Sequence, residues 1–388
     1  MPGCLRSVIA IPVLTCLTAP AAAQTPRWTL AQELRIGSQE GENALSRVPG
    51  LTVARDGSIY VSQPLARSVW VFDARGRRLA NVGRRGSGPG EFQDPREVGW
   101  RGDSLWVTDA GQGRVTLFPG PTRPVTTITV GSGLYPLALL SDGSLLAREN
   151  PMASDIGGGT VRTIRYFRVS RSGARLGTVA EVDTRHGWMF IRNPAPGREL
   201  PNTLRAQPFS DMRLVVASAN GRDIVVVDRP AASSAGRAEF TVTRYDGSGR
   251  RIWASRVPYT PRRLTRELIE DSVAPQARMI AAVPDFGATP ATVAGWIRAQ
   301  LYTPRYLPPV STVVVGRDGS VWLRREPVHA QPVQWTVLNA NGRAIANVQA
   351  PAGLRIFEAD AERVWGIARD ELEVPYVMVY RIARTGRR

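Results

Sequence analysis

The 388-residue chain contains no lysine, so all 50 of its cations are arginines, set against 33 acids for a formal net charge of +17. Cysteine and histidine are almost as scarce, with Cys4, Cys16, His186 and His329 the full complement. Two cysteines cannot build a disulfide scaffold, and two histidines without CxxC or HxxxH spacing argue against a zinc centre or a site made of several imidazoles. No G-x-S-x-G elbow is present for a serine nucleophile. Long apolar runs are missing as well. The stretch Val8–Leu17 is interrupted by Pro12 and followed by Pro20, short of the roughly 20 residues that a membrane-spanning helix needs. What remains is ordinary for a folded chain: 43% hydrophobic residues, 37 Gly, 30 Pro and 10 Trp.

The first residues place the chain in a compartment. MPGCLRSVIAIPVLTCLTAPAAAQ carries one cation at Arg6, the apolar run, and Ala21-Ala22-Ala23 before Gln24. That is the layout of a secretory signal with a small-residue cleavage site. The expectation is a leader over residues 1–23 and a mature chain over 24–388, periplasmic or secreted, with no integral membrane segment. A lipoprotein cut before Cys16 is the lesser reading, because Leu14 and Thr15 stand where small residues are wanted. Cleavage after Ala23 removes both cysteines and one cation, leaving a cysteine-free chain of charge 17 − 1 = +16.

From Trp28 onward, short period-two runs rich in Val, Ile, Trp and Tyr alternate with Gly, Asp and Asn turns. An offset of 46 superimposes Gly37, Pro49, Ile59, Tyr60, Val61, Ser62, Val69, Val71 and Phe72 on Gly83, Pro95, Leu105, Trp106, Val107, Thr108, Val115, Leu117 and Phe118. Hairpin dipeptides recur at Asp56-Gly57, Asp142-Gly143, Asn220-Gly221 and Asp318-Gly319, with a second set at Arg75-Gly76, Ser172-Gly173, Asp246-Gly247 and Asn341-Gly342. A 40–50-residue unit of four short strands is the pattern of a propeller blade. The reading is an all-β, six-bladed β-propeller, with blades at about 48–83, 94–131, 135–183, 210–258, 310–350 and 352–384. The last blade lacks a fourth strand, so the strand near Thr29–Ile36 is expected to complete it, pairing Leu30–Ile36 with Val377–Ile382.

In such a blade the turns linking strands one to two and three to four share a face, and here they are all tight. Every long insertion falls on the opposite face: 149–160, 183–211, 229–237, 258–309 and 325–332. The insertion at about 259–309, between blades four and five, is the helical one. Thr265 before Leu268, Ile269 and Val273 suits one helix, and Thr289-Pro290 before Val293, Trp296, Ile297 and Leu301 suits a second, with a capping Thr and Pro at the first position. Loops on a rigid scaffold commonly carry recognition.

Gly83–Pro95 (GRRGSGPGEFQDP), then Leu105–Asp109 and Arg114–Phe118, resemble an NHL repeat over about 36 residues. Blade one departs from the pattern at Ser62 and Gln63, and the later blades keep only turns and strand spacing. The whole chain resembles exported bacterial six-bladed propellers of the NHL type, many without an assigned activity. The resemblance implies an Asp109–Arg114 pairing within the blade. It also makes Gly83–Gly90 a scaffold loop rather than a phosphate loop, which would need a following Gly-Lys-Ser/Thr. Arg101-Gly102-Asp103 falls on a strand-one-to-two turn.

Arginine and aromatic residues dominate the favoured face. The candidate binding residues are Arg96, Glu97, Arg148, Arg185, His186, Trp188, Arg192 and His329. Guanidinium forks bind carboxylate, sulfate or phosphate, and indole offers a flat apolar surface. The expectation is a non-catalytic module with no cofactor and no metal, binding an anionic envelope glycan, peptide or protein; export argues against nucleic acid. The alternative is a channel-mouth enzyme, either a calcium-dependent lactonase or hydrolase or a His-dependent lyase. Arg75, Arg77, Arg78, Arg250 and Arg251 lie on the other face, so the net charge alone does not select a partner.

Overall fold

The computed structural model describes residues 25–120, 125–151, 162–191, 203–283, 287–325 and 332–384. The leader at 1–23, Arg192 and His329 therefore lie outside the described residues. The chain enters as strand β1 (Arg27–Ile36) and then lays down a four-stranded antiparallel sheet, β2 (Leu51–Val53), β3 (Ile59–Gln63), β4 (Ser68–Phe72) and β5 (Arg78–Val82). A short parallel pair follows, β6 (Arg84–Arg85) with β7 (Glu91–Phe92). The second sheet is β8 (Pro95–Arg101), β9 (Ser104–Asp109), β10 (Arg114–Phe118) and β11 (Thr126–Thr129), and the third is β12 (Leu134–Leu139), β13 (Leu145–Glu149), β14 (Thr163–Val169) and β15 (Arg175–Asp183). After the hairpin β16 (Trp188–Ile191) and β17 (Thr203–Ala206) comes a fourth sheet, β18 (Leu214–Ala217), β19 (Asp223–Asp228), β20 (Ala238–Asp246) and β21 (Arg251–Tyr259).

Helices α1 (Arg266–Ala281) and α2 (Pro290–Gln300) separate this from β22 (Thr312–Val315), β23 (Val321–Arg324), β24 (Val333–Leu338), β25 (Ala344–Ala350), β26 (Arg355–Ala359), β27 (Arg363–Arg369) and β28 (Pro375–Arg384). With β1 these form one eight-stranded sheet in the order β22-β23-β24-β25-β1-β28-β27-β26. The fold is all-β and propeller-like: four four-stranded meanders and an eight-stranded sheet, with two helices among the described residues.

Sequence periodicity follows strand position. Strand β19, DIVVVD, is covered on both sides and buried through Val227, whereas the outer strand β21 alternates exposed and covered side chains. The Asp-Gly-Ser turns are built alike: Asp56, Asp142 and Asp318 each accept the N–H of the serine two residues on, at 2.9, 2.9 and 3.1 Å. Strand β1 pairs with β28 from Trp28↔Arg384 to Ile36↔Val377, including Leu30↔Ile382, with an irregularity between Gln32 and Leu34. On its other edge, Arg27 to Thr29 run parallel to β25.

The helices begin where the sequence places them. Thr265 and Thr289 are the N-caps, accepting from the N–H groups of Leu268 and Thr292, and Pro290 opens the second helix. They do not stand alone. Val273, Ala277, Ile280, Val293 and Ile297 form a core of their own with Met189 and Ile191 of the β16–β17 hairpin, so two separate insertions fold into one unit. The Gln207 side chain stitches that unit together, donating to Gln300 C=O at 2.8 Å and accepting from Tyr302 N–H at 3.0 Å. Ile297→Ala is expected to cost about 2–5 kcal/mol within this unit. Hydrogen exchange should then quicken in α1 and α2 while β2–β5 keep their protection; acceleration throughout the chain would show a single cooperative body instead.

Asp109 and Arg114 are opposite one another in the β9–β10 ladder, but their side chains do not form the expected ion pair. Asp109 is fully buried and accepts the N–H groups of Gln93, Asp94 and Gly111. Arg114 donates to the carbonyls of Ser87, Gly88 and Glu91. Both residues bond the backbone of the 87–94 segment, Asp109 through its carboxylate and Arg114 through its two terminal nitrogens, without pairing with each other.

The inner strands approach closely at the end where the tight turns lie. Trp100 N–H donates to Ala219 C=O at 2.8 Å and Ser141 N–H to Gly221 C=O at 2.9 Å. A Cβ on Gly99 would sit 2.0 Å from Ala219 O, and one on Gly221, whose φ is +65°, 2.2 Å from Leu139 O. Only glycine permits that approach. The 218–222 turn therefore reaches over the ends of β8 and β12.

Candidate functional site

Three of the sequence-derived residues, Arg96, Glu97 and Arg148, meet near the insertion-side ends of the inner strands. Arg96 and Glu97 begin β8, and Arg148 comes from the end of β13. Asp94 holds the Arg96 guanidinium through Oδ2, at 2.8 Å to Nε and 2.6 Å to Nη2. Burial opposes the Arg96 charge, but the hydrogen bond and charge of Asp94 outweigh it and raise the pKa. Arg148 lies over the Tyr135 ring with its Cζ 4.9 Å from the centroid and donates to Glu149 C=O at 2.9 Å.

Glu97 sits among these cations in protein surroundings that raise its pKa, burial outweighing the hydrogen bond from the Thr108 hydroxyl and the charges of Arg96 and Arg148. Its side chain is half-buried, which disfavours the charged form. Burial, and after it the Glu97 charge, pushes the Tyr135 phenol up to about 12. Arg355, at the start of β26, faces the same cluster. Its side chain is open to solvent and lies 4.4 Å over the Phe357 ring. Displacement of water by surrounding protein nevertheless lowers its pKa, Glu97 works against that, and Arg47 adds to it. Arg96, Arg148 and Arg355 thus gather around Glu97, and neither Arg148 nor Arg355 forms an ion pair with a described carboxylate.

Arg185 and His186 stand elsewhere. They line a cavity of about 280 Å³ with Glu181, Asp183, Asp211 and Arg213. His186 Nδ1 is 3.0 Å from Asp211 Oδ1, and its ring stacks on Tyr302 with centroids 3.6 Å apart and planes 8° from parallel. The Tyr302 hydroxyl donates to Asp211 Oδ2 at 3.1 Å. Burial, followed by the Asp211 charge, pushes that phenol up to about 12. Arg185 is committed to Asp183 and Arg213 to Asp228. Trp188 belongs to neither cluster: it is half-buried on β16, paired with Ala206 beside the helical unit.

Sequence reasoning missed a third place. At the tight-turn end, a cavity of about 470 Å³ is lined by residues that include Tyr60, Trp100, Asn220, Arg222, Arg317 and Glu358. Arg317 donates to Glu358 Oε1 from Nε at 3.0 Å and from Nη2 at 2.5 Å, and Nη2 also reaches Val53 C=O at 2.8 Å. Glu358 is buried and its Oε2 accepts Val53 N–H at 2.9 Å. Each of these residues reads in the sequence as a strand end or a turn, and nothing local marks them as neighbours.

No protein-family model and no curated protein matches the chain. Among solved structures it is similar to the calcium-binding protein regucalcin of Agrobacterium tumefaciens, at 12% identity over 92% of this chain and 97% of that one, with a TM-score of 0.42. It is also similar to a member of the DUF4221 family from Bacteroides vulgatus (10% identity, 93% and 100% covered, TM-score 0.46). A third is virginiamycin B lyase of Staphylococcus aureus (10% identity, 90% and 98% covered, TM-score 0.38).

Proposed function

We propose that the chain is an exported six-bladed propeller of the NHL type that binds an anionic glycan, peptide or protein of the cell envelope at its insertion-side mouth, without transforming it. The six-blade count is supported by the narrow join in the eight-stranded sheet. Only the three-residue contact of β1 with β25 links β22–β25 to a second set of four, β26, β27, β28 and β1. No helix among the described residues is long and apolar enough to cross a membrane.

The observation that carries the binding reading is the pair Arg148 and Arg355, guanidiniums without a described carboxylate partner, facing a Glu97 whose pKa is raised. An incoming carboxylate or sulfate would find the positive charge there incompletely matched. Asp94 is already neutralised by Arg96, which makes the mouth a poor cage for calcium. The enzyme reading draws its support from His186, which Asp211 orients through Nδ1 as a carboxylate orients a general base.

Calorimetric titration tests the proposal with a sulfated or carboxylated oligosaccharide, an acidic peptide and their uncharged counterparts. Saturable binding of an anionic probe, weakened as salt is raised, is expected. Equal affinity for the uncharged counterparts would overturn the reading. Glu97→Gln, which removes the one carboxylate that opposes an anion there, is expected to tighten binding by about three- to tenfold at pH 8. The gain should shrink at pH 5, where the wild-type carboxyl, with its raised pKa, is itself more protonated.

A further inference from the structure

The cavity at the tight-turn end has a composition unlike the mouth. Its charged lining is balanced, with Arg55, Arg222 and Arg317 against Asp56, Asp103 and Glu358. Two of these pairs are closed: Arg55 with Asp103 at 3.2 Å, and Arg317 with Glu358. That leaves one cation and one anion. Arg222 forms no side-chain hydrogen bond or ion pair among the described residues, and Asp56 spends one oxygen on the Ser58 N–H. Beside them is an aromatic corner, Tyr60 against Trp100, with ring centroids 5.1 Å apart and planes at 88°. The Tyr60 hydroxyl has no hydrogen-bond partner among the described residues, and burial, followed by the Asp56 charge, raises its pKa.

We propose that this cavity is a second binding site, separate from the arginine-rich mouth, for a small zwitterion with an apolar or aromatic body, the chemistry of a free amino acid. Arg222 takes the carboxylate, Asp56 the ammonium group, and the Tyr60–Trp100 corner the side chain. A ligand with only one charge leaves either Arg222 or Asp56 unanswered, and a polyanion meets the three carboxylates of the lining. The volume lies within the range of roughly 300–1,000 Å³ typical of small-molecule sites. The Arg317–Glu358 pair is bonded to Val53 of β2, and the 218–222 turn to Trp100 of β8 and to Ser141 just after β12.

The test is calorimetric titration of the folded chain with L-phenylalanine, 3-phenylpropionate, phenethylamine and glucose. L-phenylalanine should bind at one site per chain, and each single-charge analogue about tenfold or more weakly, with glucose weaker still. Arg222→Ala and Asp56→Asn, both at exposed positions that leave the core untouched, should each reduce phenylalanine affinity by about tenfold. Neither should alter anion binding at the mouth, so failure here and failure of the proposed function are distinguishable. The proposal is overturned if L-phenylalanine does not bind, if an analogue or glucose binds as well as it does, or if Arg222→Ala leaves its affinity unchanged.

Discussion

A chain that starts at residue 37 is expected to lose its cooperative fold and precipitate. Strand β1 lies between β25 and β28, so removing it strips β28 of partners along eight paired positions. Trp28 and Ile36 leave the core, at about 1.5–3 kcal/mol each for their burial. The bonds that join Glu33 to Arg363 and Arg381 go too. Lost ladder bonds and the uncovering of Tyr380 and Ile382 add to this, and the sum approaches the roughly 5–15 kcal/mol that holds a typical domain together. The freed edge of β28 is long and apolar, which favours pairing between molecules. Circular dichroism melting and gel filtration of the shortened chain check this, and addition of a peptide spanning residues 25–36 should restore part of the transition. A soluble monomer with an unchanged melting temperature would show that β1 does not close the fold.

The second large effect is expected from Arg317→Met. Glu358 is only 4% exposed in its side chain, and Arg317 covers it at 29%. Removing one partner of such a pair strands the other charge, at about 3–5 kcal/mol, or a melting temperature lowered by roughly 4–7 °C. The loss should depend on pH. Burial raises the Glu358 pKa above its ordinary value, while Arg317 and the Val53 N–H work against that rise. A carboxyl whose folded pKa is raised binds more protons folded than unfolded, so its contribution is fully present below the unfolded value and is lost as pH climbs through the folded one. Without Arg317 the folded pKa climbs further. The variant should therefore lie closer to wild type at pH 5 than at pH 8, and adding Glu358→Gln should recover part of the loss. An equal deficit at both pH values would show that Glu358 does not carry the effect.

The parts of this fold that were legible beforehand are those set by local chemistry. Asp-Gly-Ser marks a turn because the aspartate oxygen bonds the serine N–H at each occurrence. Thr265 and Thr289-Pro290 mark helix starts because a hydroxyl and a ring satisfy the first orphan amides. The partner of β1 could be inferred because one sheet lacked an outer strand and one strand lacked a sheet. What was not legible depends on contacts between distant segments. Asp109 and Arg114 sit where the repeat places them, yet the glycine-rich loop offers each a better-matched set of partners. The Trp188–Ile191 run reads as a face loop, but Met189 and Ile191 find their core in helices roughly a hundred residues on. The charge cluster at the mouth was partly visible through Arg96, Glu97 and Arg148. Arg355 was missed, because it looks like any exposed residue at a strand start. The opposite cavity draws on residues from 52 to 358, and no spacing rule connects them.

The most direct measurement is the anion affinity of the Arg148→Ala/Arg355→Ala chain beside that of Arg75→Ala/Arg77→Ala, in one buffer at one salt concentration. Arg75 and Arg77 lie on the tight-turn side, in the β4–β5 turn. Binding at the insertion-side mouth requires about a tenfold loss or more for the first variant and none for the second. Equal losses from the two, or none from either, would contradict it.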